Sequence, residues 1–74
     1  MNANQYRAAV KRLEFKRTEL EHDEGLTAAA QFFGANTRTG RRWAENGPPE
    51  AVAMFLRLMI KMDWKADDVR ELLK

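Results

Sequence analysis

Glycine and proline divide this chain into segments that are long enough for short helices. Gly25, Gly34 and the run Asn46-Gly47-Pro48-Pro49 interrupt a sequence whose apolar residues otherwise recur every three or four positions. No segment alternates apolar and polar residues with the period of two that a half-buried strand requires. We therefore expect an all-α fold, in which four to five helices form one compact domain over residues 1–74.

The length and composition narrow the class of protein. A chain of 74 residues with 45% hydrophobic and 32% charged residues suits a single folded domain. It has no cysteine, which excludes a disulfide framework and a thiolate metal site and is compatible with the cytoplasm. Its longest apolar stretch, residues 51–62, contains Arg57 and Lys61 and falls short of the roughly 20 residues that span a bilayer. We expect a cytoplasmic protein with no membrane partner.

The first segment has an apolar stripe at helical spacing. The stripe consists of Tyr6, Val10 and Leu13, with Ala9 beside them. This spacing predicts an amphipathic helix from about Asn4. Arg17 then takes a position where an apolar residue is expected, and Leu20 resumes the pattern. The helix therefore either ends near Phe15 or continues to His22 through an acidic segment, and the residues alone leave both open.

Two short helices are predicted on either side of Gly34. Thr27 is placed to cap the first, because a threonine hydroxyl can accept a hydrogen bond from a free N–H of the first turn. Three alanines follow, and Gly34 suits the left-handed residue at which helices often stop. Asn36 or Thr37 can cap the next helix, which we expect to run to about Glu45.

The second half of the chain predicts two more helices. Pro49 suits the first position of a helix that extends to about Met62. That helix is apolar nearly all round, which predicts burial on most sides, as a central helix or part of a subunit interface. Asp63 or Lys65 marks the start of a fifth helix. Its apolar residues are Val69, Leu72 and Leu73.

The predicted third helix has two chemically different faces. Gly40 and Trp43 lie three residues apart on one face, and we expect Trp43 to point into the core. Arg38, Arg41 and Arg42 lie on the other face. Arginine pairs bidentately with guanine or clamps a phosphate, so this face fits duplex DNA. Thr37 and Thr39 add hydroxyl groups that can bond phosphates or base edges. Small residues, a glycine turn and a second short helix at about residues 26–45 together indicate helix-turn-helix geometry.

These residues also resemble a known family. The run Gly34-Ala-Asn-Thr-Arg-Thr-Gly-Arg-Arg-Trp43, followed by Gly47 and by Pro49-Glu-Ala-Val-Ala-Met-Phe-Leu-Arg-Leu-Met59, is similar to Cro/lambda-repressor-like (XRE-type) helix-turn-helix proteins. The resemblance is greatest to small bacterial and phage-associated members and covers about residues 26–62. It implies a lambda-repressor-like domain whose second motif helix enters the major groove. By position, it implies that Thr37, Arg38 and Arg41 read bases and that Arg42 contacts a base or a phosphate. Thr27 or Gln31 would then contact phosphate from the preceding helix.

The expected function is therefore sequence-specific binding of duplex DNA by a transcription regulator, and a homodimer is the expected form. The alternative is a protein-interaction module, an antitoxin-like or adaptor subunit, that uses the apolar helix at about residues 49–62. An enzyme is not expected, because the chain lacks serine and cysteine nucleophiles and has one histidine. His22 among acidic residues does not establish a metal site. We expect no cofactor and no small-molecule ligand.

Overall fold

The fold is built from five short helices in the part of the chain that the structure describes. A computed structural model describes residues 1–18 and 20–73. The helices are α1 (Ala3–Arg12), α2 (Leu26–Phe32), α3 (Thr37–Asn46), α4 (Glu50–Met62) and α5 (Ala66–Leu72). The described residues contain no strand, so the expected all-α class is confirmed.

The first helix is the shorter of the two alternatives. Asn2 caps α1: its Oδ1 accepts from the Gln5 N–H at 2.8 Å, and the Gln5 Oε1 accepts from the Asn2 N–H at 2.9 Å. This reciprocal pair satisfies two N–H groups that the helix itself leaves free. The helix ends at Arg12, and Glu14 turns the chain with a φ of 56°. The described residues of the acidic segment form turns rather than a continuation of α1.

The predicted cap of α2 is wrong. Thr27 is the second residue of the helix, and Gly25, with a φ of 97°, stands at the cap position. The side chain that satisfies the helix start is Asp23, whose carboxylate accepts from the N–H of Gly25 at 3.2 Å and of Thr27 at 2.9 Å. The Thr27 hydroxyl donates to the same carboxylate. The positive φ of Gly25 folds the chain back so that an acidic side chain upstream can perform the capping.

The starts of the later helices fall within one residue of the expected positions. Asn36 caps α3, and its Oδ1 accepts from the Thr39 N–H at 2.9 Å. Pro49 precedes α4 as its cap residue, so the first helical residue is Glu50. Of the two candidates for the start of α5, Lys65 holds the cap position, and its N–H donates to the Asp68 carboxylate at 2.9 Å.

The core combines one stripe from each helix with a cluster of aromatic rings. The largest fully buried side chains are Tyr6, Phe15, Leu13, Leu56, Met59 and Val10. Phe15 stacks edge-on against Phe32 with 5.2 Å between ring centroids, and Phe33 and Phe55 extend the cluster. The Ala66 N–H donates to the Leu13 carbonyl at 2.8 Å, which fixes the start of α5 to the end of α1.

Of the two alternatives for α4, the structure does not support a central helix, because the single chain buries only one of its faces. The subunit interface stays a prediction. The inward face of α4, formed by Ala53, Leu56 and Met59, is buried. Its outward face is largely exposed, with 61% of Met54, 46% of Leu58 and 50% of Met62 accessible to solvent. Of the apolar residues expected in the fifth helix, only Val69 is buried, whereas Leu72 and Leu73 are 70% and 76% exposed. Among the described helices, none is long and apolar enough to cross a membrane.

Candidate nucleic-acid interface

The candidate interface depends on how closely α2 and α3 cross. Gly40 in the middle of α3 is buried against Ala30 of α2. A Cβ atom at Gly40 would lie 2.5 Å from the Ala30 Cβ, which is well inside van der Waals contact. The crossing therefore requires glycine at this position. Small residues on both helices bring their backbones together, as the sequence predicts for helix-turn-helix geometry.

The inward face of α3 is held by aromatic packing. Trp43 is only 8% exposed, which confirms its expected place in the core. Its ring meets the Tyr6 ring at 6.2 Å and 88° and the Phe33 ring at 6.3 Å and 70°. Edge-to-face arrangements of this kind are favourable for aromatic pairs. Trp43 therefore ties α3 to α1 and α2 and fixes which face of the helix points outward.

The Tyr6 hydroxyl lies in the interior beside this contact. Tyr6 is fully buried, and its hydroxyl has no hydrogen-bond partner within the described part of the chain. Burial raises the pKa of Tyr6 to about 12, because the phenolate would lose its hydration. Tyr6 is consequently a neutral packing residue behind α3.

The outward face of α3 is basic. Arg38, Arg41 and Arg42 are all exposed, and none of them takes part in an ion pair among residues 1–18 and 20–73. Their guanidinium groups are thus available to an external acceptor. Each offers five N–H donors in a planar fork, the geometry that binds phosphates and the guanine edge bidentately.

The start of α3 lies beside these arginines and has free donors of its own. Thr37 is exposed and Thr39 is half-buried. The Thr39 N–H is occupied by the Asn36 side chain, whereas the N–H groups of Thr37 and Arg38 have no partner in the described structure. Unpaired N–H groups and the helix dipole make this end of the helix favourable for an anion.

The two α2 residues of the predicted site have different surroundings. Thr27 borders the same surface groove as Thr37 and Arg41, but its hydroxyl proton is engaged by Asp23. Gln31 is exposed and borders a different groove with Arg17 and Arg70. Thr27 and Gln31 also line one further groove together. Thr27 alone of the two therefore lies beside the α3 residues, while Gln31 lies beside Arg17 and Arg70.

Acidic residues border the groove between α1, α2 and α3. Asp23 and Glu45 line it together with Arg7 and Arg41. Burial by itself would raise the pKa of the Asp23 carboxyl, but hydrogen bonds from the Thr27 hydroxyl and from the N–H groups of Thr27 and Gly25 outweigh this and lower it. Asp23 is therefore ionised at neutral pH. Two acidic side chains thus lie beside Thr37 and Arg41 at one edge of the candidate interface.

Arg7 is a residue of the site that sequence reasoning missed. It belongs to a basic run on α1 that resembles a solvated helix face, yet its Nε donates to the Ala44 carbonyl at 2.8 Å. Ala44 lies in the last turn of α3, where carbonyl groups lack a partner within the helix. Arg7 therefore anchors the end of α3 to α1. The two residues are 37 positions apart in the sequence, so no local sequence pattern predicts their contact.

No metal site is formed by the residues that the structure describes. They contain no group of three or more histidine, cysteine, aspartate or glutamate side chains that could hold an ion. The available chemistry of the candidate interface is therefore cationic and hydrogen-bonding.

Comparisons with known proteins assign neither a family nor a function to this chain. This chain matches no protein-family model, no curated protein and no solved structure. The outward face of α3 and the residues similar to helix-turn-helix proteins are consequently the features that bear on function.

Proposed function

We propose that this protein binds duplex DNA in a sequence-specific manner and regulates transcription, with α3 placed in the major groove. The observation that carries the proposal is the pair of opposed faces on α3. Its inward face is locked by Gly40 and Trp43, while Arg38, Arg41 and Arg42 project outward without a partner among the described residues. A short, rigidly mounted helix with a basic outer face suits docking in a groove lined by acceptors.

The roles of the α3 residues follow from their places on the helix. Thr37, Arg38 and Arg41 lie in its first half, which the resemblance to Cro/lambda-repressor-like proteins assigns to base reading. Thr39 can bond a phosphate or a base edge, and Arg42 can contact either. The free N–H groups at the helix start favour a phosphate beside Thr37.

Gln31 and Thr27 of α2 are proposed to contact phosphates, but their side chains are not equally available for this contact. Gln31 is exposed, and its amide has no hydrogen-bond partner within residues 1–18 and 20–73. The Thr27 hydroxyl donates to Asp23, so a phosphate contact by Thr27 would require that hydrogen bond to exchange. We accordingly assign Gln31 the larger contribution of the two.

The proposed protein is a DNA-binding module of the cytoplasm rather than an enzyme. Binding of this kind uses no cofactor, and the chain has no serine or cysteine to act as a nucleophile. A dimer would match the two-fold symmetry common among duplex operators.

An NMR titration of isotopically labelled protein with a short mixed-sequence duplex tests the proposal. Basic proteins bind DNA weakly at low salt, so the location of the shifted amides decides the outcome. We expect shifts concentrated between Thr37 and Arg42 that weaken as the salt concentration rises. Shifts confined to residues 7–17, in α1 and the segment after it, would refute a groove-reading α3.

Arginine substitutions then separate base reading from phosphate binding. On the preferred duplex, Arg38→Ala should cost about 1–3 kcal/mol of binding free energy if Arg38 reads a base. The same substitution should have little effect on an unrelated duplex. Arg12→Ala is the matched control, because Arg12 is an exposed arginine on α1. Equal losses from both variants on every duplex would contradict base reading by Arg38.

The exposed face of α4 favours a second candidate function, that of a protein-interaction module. Met54, Leu58 and Met62 present large apolar side chains to solvent on one helix. Apolar surface of this kind often marks a protein contact. An antitoxin-like or adaptor role predicts that duplex DNA does not shift the amides between Thr37 and Arg42 and that another protein binds through α4.

A further inference from the structure

The outward face of α4 carries an apolar stripe with charges at both ends. The apolar stripe consists of Ala51, Met54, Leu58 and Met62, all of them exposed. They follow one another at intervals of three, four and four residues, which places them on one side of the helix. The stripe is separate from the outward face of α3, since it belongs to a different helix.

Of the two charged residues beside the stripe, one has an ion-pair partner and the other has none among the described residues. Glu50, at the start of α4, pairs with Arg57 at 3.2 Å across exposed surface. Lys61, near the end of α4, has no carboxylate partner in the part of the chain that the structure describes. Glu50 and Lys61 are eleven residues apart, close to three full turns, so they lie on the same flank of the stripe.

We propose that the apolar stripe binds the same stripe of a second copy of this chain, with the two α4 helices antiparallel. A two-fold axis midway between Met54 and Leu58 places Met54 opposite Leu58 of the second copy. At a rise of about 1.5 Å per residue, Ala51 and Met62 lie at about 7.5 and 9 Å on opposite sides of the axis and therefore meet across it. The small side chain of Ala51 leaves room for Met62.

Charge complementarity selects the same register. Glu50 lies about 9 Å from the axis on one side and Lys61 about 7.5 Å on the other, so antiparallel packing brings Glu50 beside Lys61 of the second copy. The symmetry makes this pair twice. A parallel arrangement would instead place like charges together. One register thus satisfies the apolar residues and provides the missing partner of Lys61.

The expected dimer is weak. Stable interfaces bury about 1,200–2,000 Å² in total, and one pair of short helices lies at the low end of what proteins use. We therefore expect a monomer–dimer equilibrium with a dissociation constant in the micromolar range or above. This inference does not depend on DNA binding, and its test contains no DNA.

Analytical ultracentrifugation from micromolar to millimolar protein tests the interface. The wild-type chain should shift from monomer to dimer across this range. Leu58→Glu should remain monomeric throughout, because two carboxylates would be buried against apolar side chains. Leu72→Glu is the matched control, since Leu72 is an exposed leucine on α5 at 70% accessibility, and it should dimerise like the wild type. Circular dichroism establishes that both variants retain their helices.

A charge reversal tests the register. Glu50→Lys should weaken the dimer about fivefold, because it replaces two exposed attractive pairs with repulsive ones. The double variant Glu50→Lys/Lys61→Glu should recover the wild-type dissociation constant. A wild-type chain that stays monomeric at millimolar concentration would overturn the proposal. A dimer that responds to Leu72→Glu and not to Leu58→Glu, or a double variant that fails to recover, would overturn it as well.

Discussion

Gly40 is the residue on which the placement of α3 depends most directly. Gly40→Ala would force a methyl group to within 2.5 Å of the Ala30 Cβ, so the helices must separate or shift. Overpacking costs about 1–3 kcal/mol, whereas alanine gains about 1 kcal/mol in helix propensity over glycine. We expect a net loss of about 0–2 kcal/mol in the free energy of unfolding, measured by urea denaturation.

A reciprocal substitution separates overpacking from other causes. Ala30→Gly removes the methyl group that Gly40→Ala would meet. If close approach is the reason for glycine at position 40, the double variant should be more stable than the sum of the two single effects predicts. Additive losses would show that Gly40 is needed for another reason.

Asp23 couples the start of α2 to pH. Its carboxylate accepts from the N–H groups of Gly25 and Thr27, and replacement of such a cap by alanine costs about 1 kcal/mol. The pKa of Asp23 is lowered in the folded protein, so this stabilisation is present above the unfolded pKa of about 3.9 and is lost as pH falls through the folded value. The difference in unfolding free energy between wild type and Asp23→Ala should therefore be constant from pH 7 to about 5 and shrink below about pH 4.

Thr27→Val provides the control for this titration. It removes the hydroxyl that donates to Asp23 but keeps the backbone N–H that donates to the same carboxylate. The pKa of Asp23, followed by carbon NMR of its carboxyl, should move up toward its ordinary value. An unchanged pKa would mean that the hydroxyl does not stabilise the carboxylate.

At the scale of the elements, α3 is held at its end by α1. Arg7→Met keeps much of the stem of the side chain but loses the hydrogen bond to the Ala44 carbonyl. We expect a loss of about 0.5–1.5 kcal/mol in unfolding free energy, at the low end for a charged donor because Arg7 is exposed. Amide hydrogen exchange should accelerate in the last turn of α3 more than in α5. Arg12→Met, on the same helix, should leave exchange in α3 unchanged; an equal acceleration there would refute the anchoring role.

The elements also show what local patterns can and cannot predict. Asn36 and the two faces of α3 were predictable, because capping and helical spacing involve neighbours a few residues apart. The cap of α2 was not, because the positive φ of Gly25 lets Asp23 reach the helix from outside it. Composition predicted burial of α4 on most sides, but within the single chain the other four described helices cover only one of its faces. The hydrogen bond from Arg7 to Ala44 depends on tertiary packing alone.

For the whole molecule, the distribution of charge matters more than its sum. The net charge of +2 is too small to give strong attraction to a polyanion. The candidate interface instead concentrates cations on α3 that have no ion-pair partner among the described residues, while Asp23 and Glu45 border the groove that Arg41 also lines. Salt dependence should therefore report a few specific contacts rather than the general charge of the protein.

The slope of binding against salt measures those contacts. Each phosphate neutralised contributes about −0.9 to the slope of log K against log salt concentration for duplex DNA. If Arg42 clamps a phosphate, Arg42→Ala should make the slope shallower by about that amount and weaken all duplexes alike. Arg12→Ala removes the same charge from α1 and should leave the slope unchanged. Equal changes in this slope from both variants would mean that DNA is attracted by the whole positive surface. That result would contradict a defined docking position for α3.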